Sequence, residues 1–175
     1  MNAQAEYGIT AKTFHWLIVA LLAVQYPIGW LMPDIHGGVP GAPMTFHVSF
    51  GMLILVLIVL RLAWRLTHPV AADRSLLAWQ RLTSTGVHAL LYVMVLATTL
   101  TGWLFASFRG WSISLFYLVP LPMLSGANLS AGRFIDGWHQ AAEWALLVLI
   151  GIHVLAALVH VFIYRDRIMR RMLPG

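Results

Sequence analysis

Four apolar runs constrain this chain before anything else does: Phe14 to Met32, Thr45 to Trp64, Val87 to Phe105 and Trp138 to Tyr164. Each is close to the roughly 20 residues an α-helix needs to cross a bilayer. In hydrocarbon only helices and closed barrels satisfy their own backbone hydrogen bonds. The expected fold is therefore all-α, a four-transmembrane-helix bundle in one domain spanning residues 1–175. Turn-forming residues punctuate the runs: "MPDIHGGVPGAP" separates the first two, and Pro43 suits the first turn of the second helix. A fifth apolar stretch, "WSISLFYLVPLPML" at 111–124, is too short to span and is broken by Pro120 and Pro122, which predicts an interfacial or re-entrant segment. The first run follows a polar start and lacks a small-residue cleavage site, so a cleavable signal sequence is not expected.

Composition supports a membrane setting and removes several chemistries. Hydrophobic residues make up 60% of the chain and charged residues only 10%, outside the range of soluble domains. There are no cysteines, which excludes thiolate metal sites, iron–sulfur clusters and disulfides. The formal charge of +5 does not point to nucleic acid, because the basic residues flank the apolar runs instead of forming a stripe. Lipid is the expected partner. Four crossings put Lys12, Arg61, Arg65, Arg74, Arg81, Arg165, Arg167, Arg170 and Arg171 on the side of the termini, and leave Arg109 and Arg133 on the other. By the positive-inside rule both termini are cytosolic, and the loops around Gly38 and Ser125 face outward.

Histidines inside such helices call for an explanation, since an unpartnered polar group in hydrocarbon is costly. His139 and His153 are fourteen positions apart, within roughly 40° of one helix face and roughly 21 Å along the axis. They share a face at two depths. His47, at the outer start of the second helix, matches the depth of His139; His15, at the inner start of the first, matches that of His153. Two imidazoles facing each other across a bundle are what a six-coordinate b-type haem requires, whereas zinc wants more ligands. Two haem b groups are therefore expected, with His15 and His153 on the cytosolic-side iron and His47 and His139 on the outer one. His88, at the inner start of the third helix, is an alternative to His15 that depth alone does not exclude.

Other positions fit a flat macrocycle. Gly51 lies one turn beyond His47, and Gly151 lies beside His153. Gly29 and Gly102 fall at the outer haem's depth, and Arg61 falls at the inner depth, where it can pair with a propionate. His36 and His68 fall in loops and read as surface residues. Single glycines and histidines in membrane helices commonly serve packing alone; the two shared depths favour ligation.

The segments "FHW", "FHVSFGMLILVLIVLRLAWRL", "GVHALLY", "WHQAAEWALLVLIGIHVLAALVH" and "DRIMRRMLP" together resemble the bacterial cytochrome b561 family over nearly the whole chain. The resemblance implies a di-haem four-helix cytochrome of the bacterial inner membrane, with the four ligands named above. It also implies electron exchange with ubiquinone and, from the characterised activity in the family, superoxide oxidase chemistry.

Within that reading, Arg109 and Arg133 are the candidate superoxide-side basic residues, since positive potential speeds encounter with an anion. His88 and His160 are the candidate quinone residues, able to hydrogen-bond a carbonyl and pass a proton. Glu143, one turn inside His139, is an intramembrane acid that either takes up protons or pairs with Arg133. Two rivals remain open. One is a haem b anchor subunit passing electrons between a periplasmic dehydrogenase or hydrogenase and quinone; the other is a haem-free, histidine-lined transporter. The sequence is compatible with a monomer or a homo-oligomer.

Overall fold

The computed structural model describes residues 7–33, 40–70 and 76–173. His36, Asp34 and Arg74 lie outside the described residues. The four expected spans are present as α1 (Ile9–Leu31), α2 (Ala42–Thr67), α3 (Ala78–Phe108) and α4 (Leu129–Val159), each long and apolar enough to cross a membrane. The helices outrun the apolar runs because polar groups start them beyond the hydrocarbon. Asn128 Oδ1 accepts from the Ser130 and Ala131 amides at 3.2 and 3.1 Å, so α4 begins nine residues before Trp138. Gln80 Oε1 accepts from Leu77 N at 2.9 Å and starts α3 in the same way.

In the bundle α1 packs on α2, α2 on α3 and α3 on α4. The ring closes between α1 and α4, where Tyr26 Oη donates to the Glu143 carbonyl at 2.9 Å and Trp30 stacks on Trp144. Its buried centre is one thin apolar layer made by all four helices: Ile18 from α1, Ile54 and Ile58 from α2, Val95 from α3 and Leu146 from α4. Outward faces carry exposed Trp30, Val56, Val93, Val148 and Leu155, the surface a helix offers to lipid. Trp16 Nε1 donates to the Met172 carbonyl at 2.8 Å, which ties the start of α1 to the C-terminal tail. The start of α1 and the segment around Met172 therefore lie at one face of the bundle, here the terminal face.

The 111–124 segment forms a small antiparallel hairpin at the opposite face. β1 (Ser114–Leu115) pairs with β2 (Val119–Pro120) in the register Ser114 to Pro120 and Leu115 to Val119. Its Trp111 and Ile113 are buried against Met44 and Ala106. The two central turn residues, Phe116 and Tyr117, take positive φ of 47° and 64°, a conformation costly for bulky side chains. Contacts from α2 hold them there. Phe116 N donates to Ser49 Oγ at 2.8 Å, and the Phe116 ring lies against Phe46 and Phe50. Ser49 is fully buried, and its hydroxyl in turn donates to the Thr45 carbonyl.

Removing that hydroxyl leaves the half-buried Phe116 amide without its partner, an effect of about 1 kcal/mol. Ser49→Ala should therefore lower the thermal midpoint in detergent and expose the hairpin to proteolysis. Thr85→Ala, which removes an exposed hydroxyl bonded to its own helix, should leave both unchanged.

Candidate haem-binding sites

Each helix contributes imidazole or its absence at a fixed level, and the bundle brings these levels into register. Nearest the hairpin face, His47 of α2 and His139 of α4 oppose each other with ring centres 6.4 Å apart and planes crossed at 84°. Nearest the terminal face, His15 of α1 and His153 of α4 do the same at 6.3 Å and 82°. An imidazole nitrogen binds a metal ion at about 2 Å and stands about 1.1 Å from its own ring centre, so two rings ligating one ion from opposite sides have centres roughly 6.3 Å apart. Both pairs meet that spacing. His88 approaches His153 to 5.2 Å, too close for an ion between them.

The environment of the first pair fits a large planar ligand. His139 Nδ1 donates to the Thr98 carbonyl at 2.9 Å, which fixes the tautomer and leaves Nε2 free to bind a metal. His47 Nδ1 and Gln25 Oε1 are buried without a hydrogen-bond partner, orphan polar atoms beside the cavity they line. Gln25 is held there by its amide, which donates to the His47 carbonyl at 2.9 Å. A Cβ on Gly102 would lie 2.9 Å from His139 Cε1, and one on Gly29 would lie 3.3 Å from His47 Cε1. At Gly102 a side chain would force the His139 ring to shift, and at Gly29 it would crowd the His47 ring. Gly51 also lines the cavity, as does Glu143, which is turned to the cavity and not to Arg133.

Gly151 behaves otherwise. Nothing lies within 4 Å of a Cβ built there, because two residues from His153 is more than half a turn away and points off the shared face.

At the second pair, Arg61 reaches across from α2, and its Nη1 donates to His15 Nδ1 at 2.7 Å. The same guanidinium lies 5.8 Å from the Tyr92 ring centre. His88 Nδ1 donates to the Ser84 carbonyl at 2.6 Å, so its Nε2 is directed away from its own helix. His160 is not brought to either pair; it contacts Asp166 in the chain segment beyond α4. His68 is exposed and stacks flat on Trp64 at 3.8 Å, as a surface residue does. Arg109 ends α3, with its guanidinium 5.0 Å from the Trp111 ring centre and its side chain against Gly132 in the first turns of α4; exposed Arg133 is the next residue.

Among the described residues no group of three or more His, Asp or Glu could enclose a bare metal ion. Paired imidazoles with open space between helices therefore suit an ion whose remaining ligands come with it. The family described as prokaryotic cytochrome b561 matches residues 6–175. This chain belongs to that family. It is 28% identical to "Cytochrome b561 homolog 2" of Escherichia coli strain K12, over 98% of this chain and 93% of the relative. It is 27% identical to "Probable superoxide oxidase CybB" of Yersinia pestis, over 97% and 96%, and 24% identical to "Cytochrome b562" of Cereibacter sphaeroides, over 99% and 98%. The chain is accordingly a multi-pass membrane electron-transfer protein of a family that binds b-type haem.

Two glycines separate this site from ordinary helix packing. Gly102→Ala should displace the His139 ring and lower haem content or convert part of it to a high-spin spectrum, because one axial nitrogen moves. Gly151→Ala, about 200° around α4 from His153 and exposed, should bind haem and absorb as the unaltered protein does.

Proposed function

We propose that the chain holds two haem b groups, one at each histidine pair, and carries electrons from superoxide at the hairpin face to ubiquinone at the terminal face. The termini are cytosolic, in the bacterial inner membrane, as the nine-to-two distribution of basic residues supports. The observation that carries this reading is the repetition of one ring spacing at two levels of the same four helices.

When bound, the haems supply reversible one-electron chemistry. The chain's own residues do the rest. His47, His139, His15 and His153 would hold the haems, each through one imidazole nitrogen. Arg61 stands at the second pair with a complication: a guanidinium only donates, yet a metal at His15 Nε2 leaves the ring proton on Nδ1. With haem bound, Arg61 would instead pair with a propionate carboxylate, the charge-assisted contact that its geometry favours. Between the pairs, Leu146 stands seven residues from His139 and seven from His153 on the same face. With Ile18, Ile54, Ile58 and Val95 it forms the layer that keeps water and ions from following the electrons.

Arg109 and Arg133, close together where α3 ends and α4 begins, raise the local concentration of an anionic donor. Two superoxide ions each release one electron and leave as dioxygen. Ubiquinone takes both electrons and two protons to become quinol. His88, with Nε2 open, and His160 supply hydrogen bonds to quinone oxygen at the terminal face.

Oxidised protein carrying both haems should be reduced by superoxide on mixing and reoxidised by added ubiquinone, with pyridine haemochrome analysis returning two haems per chain. His160→Ala should slow the ubiquinone step roughly tenfold or more, the scale of a lost proton donor, while the superoxide step proceeds. Haems that dithionite reduces but superoxide does not would favour the anchor-subunit reading, with the donor a docked dehydrogenase or hydrogenase.

A further inference from the structure

α4 does not end as an ordinary helix. At His160 it widens into a single π turn, His160–Tyr164, and Arg165 then adopts the left-handed conformation at φ 52°, which a residue with a Cβ rarely takes. Together these changes return the chain toward its starting point: the Arg165 and Asp166 amides both bond the His160 carbonyl. In a regular helix residues six apart lie about 9 Å apart along the axis and on largely opposite sides. Here Asp166 Oδ2 instead meets His160 Nδ1 at 2.5 Å, while its other oxygen accepts from Ile168 N at 3.0 Å. The tail beyond is pinned over the start of α1 through Trp16 and Met172. Trp16 adjoins His15, and His160 sits on about the same face of α4 as His153, roughly 10 Å further along.

A π turn, a left-handed arginine and a carboxylate bonded through both oxygens converge on one imidazole nitrogen. The effect on that imidazole is specific. A carboxylate that accepts from Nδ1–H fixes the ring orientation and leaves Nε2 as the exchanging position. We propose that His160 and Asp166 form a proton-delivery dyad at the terminal face, in which His160 is the catalytic donor and Asp166 its positioning residue.

The inference rests on the quinone reading of that face. Reduction of a quinone to quinol takes two electrons, from two superoxide ions, and two protons. The dyad passes each proton from His160 Nε2 to a quinone oxygen, breaking the N–H bond as the O–H bond forms, and the imidazole reloads from water at the terminal face.

The test compares the full, haem-loaded protein with Asp166→Asn and Asp166→Glu. Asparagine keeps the shape but has one acceptor where the carboxylate has two, so it cannot satisfy Ile168 N and His160 Nδ1–H together. Haems reduced in advance are mixed with ubiquinone in H2O and in D2O, and separately with ferricyanide, which accepts one electron and no proton. The expected result for D166N is ubiquinone-driven reoxidation at least about tenfold slower, with a larger solvent isotope effect and unchanged reoxidation by ferricyanide. D166E should recover part of the rate, and nitrogen NMR of labelled histidine should show the His160 tautomer altered in D166N only.

Equal ubiquinone rates and isotope effects in D166N and the unaltered protein would overturn the dyad. So would a D166N defect shared by both acceptors, since that is the mark of a purely structural contact. Failure of ubiquinone to reoxidise the unaltered protein, with ferricyanide still effective, would instead end the quinone reading and the dyad with it.

Discussion

Imidazole nitrogens held inside hydrocarbon are the constraint on which the rest of this structure depends. Each needs a partner, and the bundle provides partners in a graded way. His139 gives its Nδ1–H to Thr98, His88 gives its own to Ser84, and His15 receives from Arg61. What the structure then leaves at each level is a pair of rings whose centres stand 6.3 and 6.4 Å apart, a separation suited to a metal ion between them. The glycines follow from the same constraint, since a side chain at Gly102 would displace the His139 ring and one at Gly29 would crowd that of His47. So does the sparse core: on the proposed reading the interior is reserved for two planar groups, and the bundle packs its own side chains mainly in the layer between them.

That division of labour links the fold to electron transfer. The apolar layer of Ile18, Ile54, Ile58, Val95 and Leu146 is continuous across all four helices and lies between the two histidine levels. Electrons can tunnel through such a layer, whereas ions pay the full cost of desolvation. The faces beyond it differ in charge and in architecture. One carries Arg109 and Arg133 beside a strained hairpin braced on Ser49; the other carries the folded-back tail and the His160–Asp166 contact. A haem-free transporter would need a polar path through the centre, and the buried layer is the opposite of one.

Much of this was legible in the sequence, because the relevant signals are local or periodic. Span length and flanking charge gave the four helices, and a fourteen-residue offset on one helix gave the two levels with Gly29 and Gly102. Contacts set by tertiary packing were not legible. Nothing in the order of residues marks Gln25 as the neighbour of His47, Thr98 as the acceptor for His139, or Ser49 as the support for Phe116. The choice between His15 and His88 against His153 needed ring spacing, which depth along a helix does not encode. Asp166 was hidden for a different reason: helical periodicity puts it on the wrong side of α4, and only the π turn with a left-handed Arg165 brings it back.

The most direct test of the account is electron paramagnetic resonance of the fully oxidised, haem-loaded protein. Both histidine pairs hold their ring planes nearly perpendicular, at 82° and 84°, and crossed axial imidazoles give ferric haem a highly anisotropic low-spin signal, unlike the rhombic signal of parallel ones. Two such anisotropic signals of equal integrated intensity are predicted. A rhombic low-spin spectrum, or a high-spin signal accounting for half of the iron, would contradict the assignment of one haem to each crossed pair.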